Sequence, residues 1–174
     1  MNEAAALRSE PSSSLHPAAI ARVIALLLPL ALLAGAFGSE WFGGLVPCEM
    51  CWWQREAHMV AVVIAGLSFT TPASSARSRT LVLLAAAAIA LSGAIGVYHA
   101  GVEAKIFQGF TQCTALAKAA STADLLKEIT HAPLVRCDEV QFRFLGISMA
   151  RWNAILSLGG AAVIVLLSLK AKRA

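Results

Sequence analysis

Charge is what this sequence has least of. Of 174 residues only 14% are Asp, Glu, Lys or Arg, while 58% are hydrophobic. An ordinary soluble domain carries about 25% charged residues and about 45–50% apolar ones with glycine counted. So little charge cannot cover a soluble globule of this length, and the same figures exclude an intrinsically disordered chain. No glycine or proline period is present, which removes the fibrous classes. Tyrosine occurs once and cysteine only four times. One domain suits the length, the mean hydropathy is +0.70, and the apolar excess points to lipid. No nucleic-acid partner is expected.

What the chain does contain is four long apolar stretches. A transmembrane helix needs about 20 mostly apolar residues, and the candidates are residues 18–37, 52–70, 80–100 and 152–169. The first holds one charge, Arg22; the third and fourth hold none. The second is unusual, with Arg55, Glu56 and His58 in its first two turns. Backbone groups in hydrocarbon must be satisfied within the segment, which forces helices. The expected fold is therefore an all-α membrane protein, a four-transmembrane-helix bundle with outer loops at 38–51 and 101–151. Residues 1–17, rich in Ala, Ser and Pro, read as a disordered cytoplasmic arm, and 170–174 as a cytoplasmic tail.

Basic residues in short flanking segments set the orientation. Arg77 and Arg79 lie between spans two and three, and Lys170, Lys172 and Arg173 at the end. The link between spans one and two holds Glu40 and Glu49 and no base. Both termini are expected in the cytoplasm. Trp41, Trp52, Trp53, Trp152 and Tyr98 all fall at outer ends of spans, where rings with a polar edge favour the headgroup level. Ala34-Gly35-Ala36 has the form of a signal-peptidase site, but the preceding apolar run and n-region are too long for one.

The cysteines carry the chemistry. Cys48 and Cys51 form a Cys-x-x-Cys pair in the first outer loop; Cys113 and Cys137 lie in the second. Four cysteines on an oxidising side suggest two disulfides, either loop staples or redox centres. A Cys-x-x-Cys bridge closes too small a loop to be a useful staple, whereas that spacing lets one thiolate resolve a mixed disulfide at the other. Cys51 begins the second span, where unpaired helical N–H groups stabilise a thiolate. Arg55, four residues on, shares its helix face. An arginine just inside a membrane is costly and marks a functional site by default. His58 shares the face, and His99 ends the third span at the same level. Zinc would ask for two closely spaced ligand pairs, which the 23 residues between Cys113 and Cys137 do not offer; no metal site is expected. Between those cysteines, apolar residues from Leu116 to Ile129 recur at helical spacing, an amphipathic helix.

The run Pro47-Cys48-Glu49-Met50-Cys51-Trp52-Trp53-Gln54-Arg55 resembles the signature of the bacterial DsbB family, Cys-x-x-Cys followed by Gln-Arg or Glu-Arg. The run from Cys137 to Met149, followed by Trp152-Asn153, resembles the end of that family's second periplasmic loop. Glu49 and Met50 between the paired cysteines, and the long separation of the second pair, are its departures. The resemblance implies an inner-membrane thiol oxidase that reoxidises a periplasmic DsbA-like protein and passes electrons to a membrane quinone, ubiquinone or menaquinone. It implies that Cys113 receives the partner's thiolate and that the freed Cys137 attacks Cys48. Cys51 is then left facing the quinone, with Arg55 stabilising negative charge and His99 nearby. The alternatives are a reductase like vitamin K epoxide reductase, whose redox pair lies near its last span, and a non-enzymatic tetraspan with structural disulfides.

Overall fold

The structure, a computed structural model, describes residues 16–109, 121–122 and 135–173. Cys113, all but residues 121–122 of the amphipathic segment from Leu116 to Ile129, and all but the last two residues of the expected N-terminal arm lie outside them. The described elements are α1 (Pro17–Trp41), α2 (Glu49–Leu67) with a 3-10 turn at Ser68–Thr70, α3 (Ala76–Glu103), β1 (Arg143–Phe144), β2 (Ile147–Ser148) and α4 (Met149–Arg173).

α1, α3 and α4 are each long and apolar enough to cross a membrane. α2, expected as a span over 52–70, forms a 19-residue helix but does not meet that standard of composition. The reason is chemical: Gln54, Arg55, Glu56 and His58 crowd two successive turns. The helices also run past the expected limits. α1 continues through Glu40 to Trp41, so the first four residues of what looked like an acidic link are helical. α2 starts at Glu49, enclosing Cys51 in its first turn.

Each terminus is made by a specific residue. Pro17 occupies the first turn of α1, where its missing N–H costs nothing. Ser75 caps α3 by accepting from the Ser78 amide at 3.1 Å. At the end of α2, Arg22 of α1 donates to the carbonyls of Ser68 and Thr71, at 3.3 and 3.0 Å, and stacks over Phe69. A cation at this end of α2 also complements the helix dipole. Pro29 inside α1 is buried and tolerated.

The helices meet along seams of small side chains. Ala21 and Ala25 of α1, Ala61 and Ala65 of α2, Ala85 and Ala86 of α3 and Ala161 of α4 form one buried cluster around Val82, Ile89 and Ile164. Leucine would add little here, since lipid tails are equally apolar; small residues instead bring backbones into close contact. Leu27, Val63, Leu84, Leu91 and Leu166 stay exposed on the outer faces, where a membrane would cover them.

A two-stranded hairpin closes the end of the bundle at which α3 stops and α4 starts. Arg143 pairs with Ser148 and Phe144 with Ile147. Its two-residue turn puts Leu145 at φ 52° and Gly146 at φ 78°, the positive angles that suit the twist of a tight hairpin. Ser148 then donates to Glu103 at 2.5 Å, tying the start of α4 to the end of α3. The Trp152 indole donates to the Phe144 carbonyl at 3.0 Å.

Candidate functional site

The first turn of α2 builds the centre of the site. Cys48 is the helix N-cap, with extended backbone angles, and its sulfur accepts from the Cys51 amide at 3.4 Å. The two sulfurs approach to 3.0 Å. Cys137, from the chain leading into the hairpin, packs in the same buried cluster with Cys48, Met50 and Val102 and is a direct hydrogen-bonding neighbour of Cys48. The Cys48 thiol is pushed far above its usual range, first by Cys137, then by Cys51 and by burial. His99 of α3 brings Nε2 to 3.7 Å from the Cys48 sulfur. Three of the expected cysteines and His99 thus converge.

Arg55 is nearly buried, at 6% exposure, and points toward α1. It pairs with the Glu40 carboxylate, donates to the Ala36 carbonyl at 3.0 Å and lies over the rings of Phe37 and Trp52 at 4.8 and 5.1 Å. Its neighbour Glu56 is exposed and takes no part. A buried guanidinium is tolerable only with such partners. Glu40 was unforeseen because it sat in an expected loop. With α1 extended by one turn it becomes a fixed counter-ion.

A chain of buried amides, also not foreseen, supports the histidines. The Gln54 amide nitrogen donates to the Met50 carbonyl at 3.0 Å and stands 3.0 Å from His99 Nδ1. Its oxygen accepts from Asn153 Nδ2 of α4 at 2.8 Å, and the same Nδ2 lies 3.1 Å from the Ser92 carbonyl. Ser92 in turn donates to the Gln54 carbonyl at 3.0 Å. The Asn153 oxygen faces His58 Nε2 at 2.9 Å and accepts from Ser157 at 3.0 Å. The sequence signal was Gln54 and Asn153 themselves, amides buried among apolar helices, where a polar group must find a partner.

Two backbone carbonyls fix the directions. A carbonyl only accepts, so the nitrogen ends of Gln54 and Asn153 must face Met50 and Ser92. His99 Nδ1 is then an acceptor and its Nε2 carries the proton, aimed at Cys48. His58 likewise carries its proton on Nε2, and its Nδ1 has no partner among the described residues. Ligand atoms of Cys48, Cys51 and His99 lie within 4.8 Å of one another, a spacing open to a metal ion. The tautomer presents an N–H rather than a lone pair to that point, which suits holding a sulfur.

A cavity of about 380 Å³ opens beside this cluster, between α1, α2 and the start of α4. Leu32, Leu33 and Val46 give it apolar walls; Cys51, Arg55 and His58 contribute its polar face. Its size falls within the range of small-molecule sites. On the outer rim, Asp138 is bound by Lys105 at 2.5 Å and by Arg136 at 2.9 Å. Arg136 first, then Lys105, hold its carboxyl well below the usual carboxylate range. This tether fixes the chain on either side of Cys137 against the end of α3.

Apolar helices carrying a buried thiol cluster at one helix N-terminus define a multi-pass membrane protein of thiol–disulfide chemistry. Comparison with known proteins agrees. Residues 18–167 match the family model for disulfide bond formation protein DsbB, and the chain belongs to that family. A disulfide bond formation protein B from a Polaromonas species is 30% identical over 155 residues, covering 82% of this chain and 86% of the relative. One from Pasteurella multocida is 30% identical over 117 residues, covering 65% and 64%. An uncharacterised protein of Rickettsia prowazekii is 21% identical over 142 residues, covering 80% and 81%. No solved structure matches the chain. Family membership makes the chain an oxidoreductase of disulfide formation.

Proposed function

We propose that this chain is a four-span protein of the bacterial inner membrane, with both termini cytoplasmic, that reoxidises a periplasmic DsbA-like dithiol protein and passes the electrons to a membrane quinone. α2 serves as the fourth span, its charged turns sheltered by α1 and α4. The observation that carries the reading is Cys137 beside Cys48. A staple would keep the two loops' cysteines apart in separate pairs, whereas a relay needs a cysteine of one loop within reach of a sulfur of the other.

The exchange balances as follows. A thiolate of the partner attacks Cys113 in a Cys113–Cys137 disulfide, and Cys137 leaves as thiolate. Cys137 attacks Cys48 of the Cys48–Cys51 disulfide, forming Cys48–Cys137 and releasing Cys51 as thiolate. The partner's second thiolate then displaces Cys113, and the partner departs oxidised. Geometry favours this polarity, because Cys48 is the sulfur in contact with both Cys51 and Cys137, and the cavity that both Cys48 and Cys51 line opens beside them. The helix N-terminus and Arg55 both stabilise negative charge on the departing sulfur.

The cavity fits a quinone: apolar walls for ring and tail, and Arg55 with His58 for oxygen atoms. When bound, a quinone supplies the acceptor for the two electrons and two protons that a dithiol loses. Arg55, held by Glu40 and Ala36, orients and charges that face of the cavity, and the bundle excludes water from it. The acceptor must be strongly oxidising, since DsbA-type proteins stand near about −120 mV.

The test uses purified protein supplied with ubiquinone or menaquinone and a reduced DsbA-like protein, with quinone absorbance followed over time. Wild type should reduce quinone, and Cys137→Ser should accumulate a mixed disulfide between the partner and Cys113. Oxidation of the partner with no loss of quinone, or recovery of only free partner from Cys137→Ser after alkylation, would overturn the reading.

A further inference from the structure

We propose that Asn153, Gln54 and His99 form a one-way hydrogen-bond chain that ends on Cys51 and stabilises its thiolate, with Gln54 and Asn153 as positioning residues. The consequence for turnover rests on the thiol-oxidase reading, but the chain itself rests only on donor and acceptor chemistry. Asn153 Nδ2 donates to the Gln54 oxygen, and Gln54 Nε2 donates to His99 Nδ1. His99 Nε2–H is thereby left to donate to the Cys48 sulfur. That sulfur also accepts from the Cys51 amide, and its own S–H faces two sulfurs, Cys51 at 3.0 Å and Cys137; the arm to Cys51 is the one that carries the chain to the start of α2.

Every donor in the series points the same way. Hydrogen bonds aligned in this manner polarise one another, more strongly in a low dielectric. The far end, on α4, is anchored on the Ser92 carbonyl, and the middle on the Met50 carbonyl, so neither amide can flip without losing a bond to a group that only accepts. Gln54 is 6% and His99 4% exposed, so the middle of the chain is shielded from solvent. A helix N-terminus alone would act on Cys51 wherever a cysteine began a helix. The amide chain adds a contribution from Asn153, 99 positions from Gln54 in sequence.

Titration of Cys51 in the fully reduced, full-length protein in detergent tests this, with the rate of iodoacetamide labelling at each pH resolved to the Cys51 peptide by mass spectrometry. Gln54→Met keeps the side-chain volume and removes the donor; His99→Phe removes the next link. Each should raise the Cys51 midpoint by a few tenths of a pH unit, because the bond to the charged sulfur stays and only its polarisation by the chain, about 10–30% of its strength, is lost. The double variant should match the single ones, because each breaks the same chain. A ¹⁵N spectrum of the imidazoles should show His99 protonated on Nε2 in wild type and should lose that pattern in Gln54→Met. An unchanged midpoint in a folded Gln54→Met protein, additive shifts in the double variant, or His99 protonated on Nδ1 would each overturn the proposal. None of these readouts involves quinone, so failure of the quinone reading leaves them intact and separately interpretable.

Discussion

Gly96 offers a sharp test of how the last helix is seated. A Cβ built there would stand 3.0 Å from the Ala150 carbonyl oxygen, 3.1 Å from the Ala154 nitrogen and 3.1 Å from Asn153 Nδ2. Two of these three are backbone atoms of α4, which cannot rotate away. Gly93, one turn earlier on α3, would bring a Cβ to 2.8 Å from Leu158 Cγ, a flexible side chain that can give way. Gly35 of α1 has nothing within 4 Å of the added atom. All three glycines are helical, so the gain in helix propensity on replacement by alanine, about 1 kcal/mol, is shared and cancels in comparison. The difference between Gly96→Ala and Gly35→Ala therefore reads steric cost alone, about 1–3 kcal/mol for overpacking, with Gly93→Ala between them. Reversible unfolding of the micellar protein by dodecyl sulfate, followed by circular dichroism, measures the order. Gly96→Ala should also disturb Asn153 and hence the Cys51 titration. Equal stability of Gly96→Ala and Gly35→Ala would refute close backbone contact between α3 and α4.

Two other outcomes follow from the charges at the outer end. Glu40→Gln removes the counter-ion of a nearly buried guanidinium and should destabilise the protein by about 1–3 kcal/mol, read in the same unfolding assay; no loss would mean that Ala36 and the two rings suffice for Arg55. The Asp138 carboxyl, read by ¹³C NMR, should titrate below the value of about 3.9 for a free aspartate. A carboxyl lowered by folding stabilises the folded state above its unfolded pKa and loses that contribution as pH falls through the folded one. The tether to Lys105 and Arg136 should therefore stay closed from neutrality down past pH 4, and a midpoint at or above the free value would contradict it.

Much of this architecture is legible in the sequence because lipid imposes simple rules. Uncharged runs such as 80–100 have no choice but to be helices, and α3 and α4 follow. The ends are less legible. Ser39 and Glu40 look like loop, yet α1 carries on to Trp41, since a polar residue at the headgroup level costs a helix little. Leu145 gives no sign of a positive φ; only Gly146 beside it hints at the hairpin. The thiol cluster is readable as Cys-x-x-Cys, Arg55 and His99 because their spacing is local or they share a level in the membrane. Gln54 and Asn153 are not, because pattern reading sees each amide separately. Nothing in periodicity states that residues 54 and 153 touch. What the sequence does show is that each amide has more donors and acceptors than its own helix can satisfy, which amounts to a request for a partner elsewhere.

That request has a bearing on how the protein is made. On the four-span reading proposed above, Gln54 and His58 enter the membrane with α2, while Asn153 is synthesised 99 and 95 residues later. Until α4 arrives, the Gln54 oxygen and the His58 imidazole lack their partner, and the bilayer offers no water in its place. The half-built bundle is therefore held together less firmly than the finished one, and arrival of the last helix both completes the packing and sets the proton on His58. A chain truncated before α4 would retain Cys48 and Cys51 but not the ordered donors behind them, so insertion and chemical competence are reached in the same step.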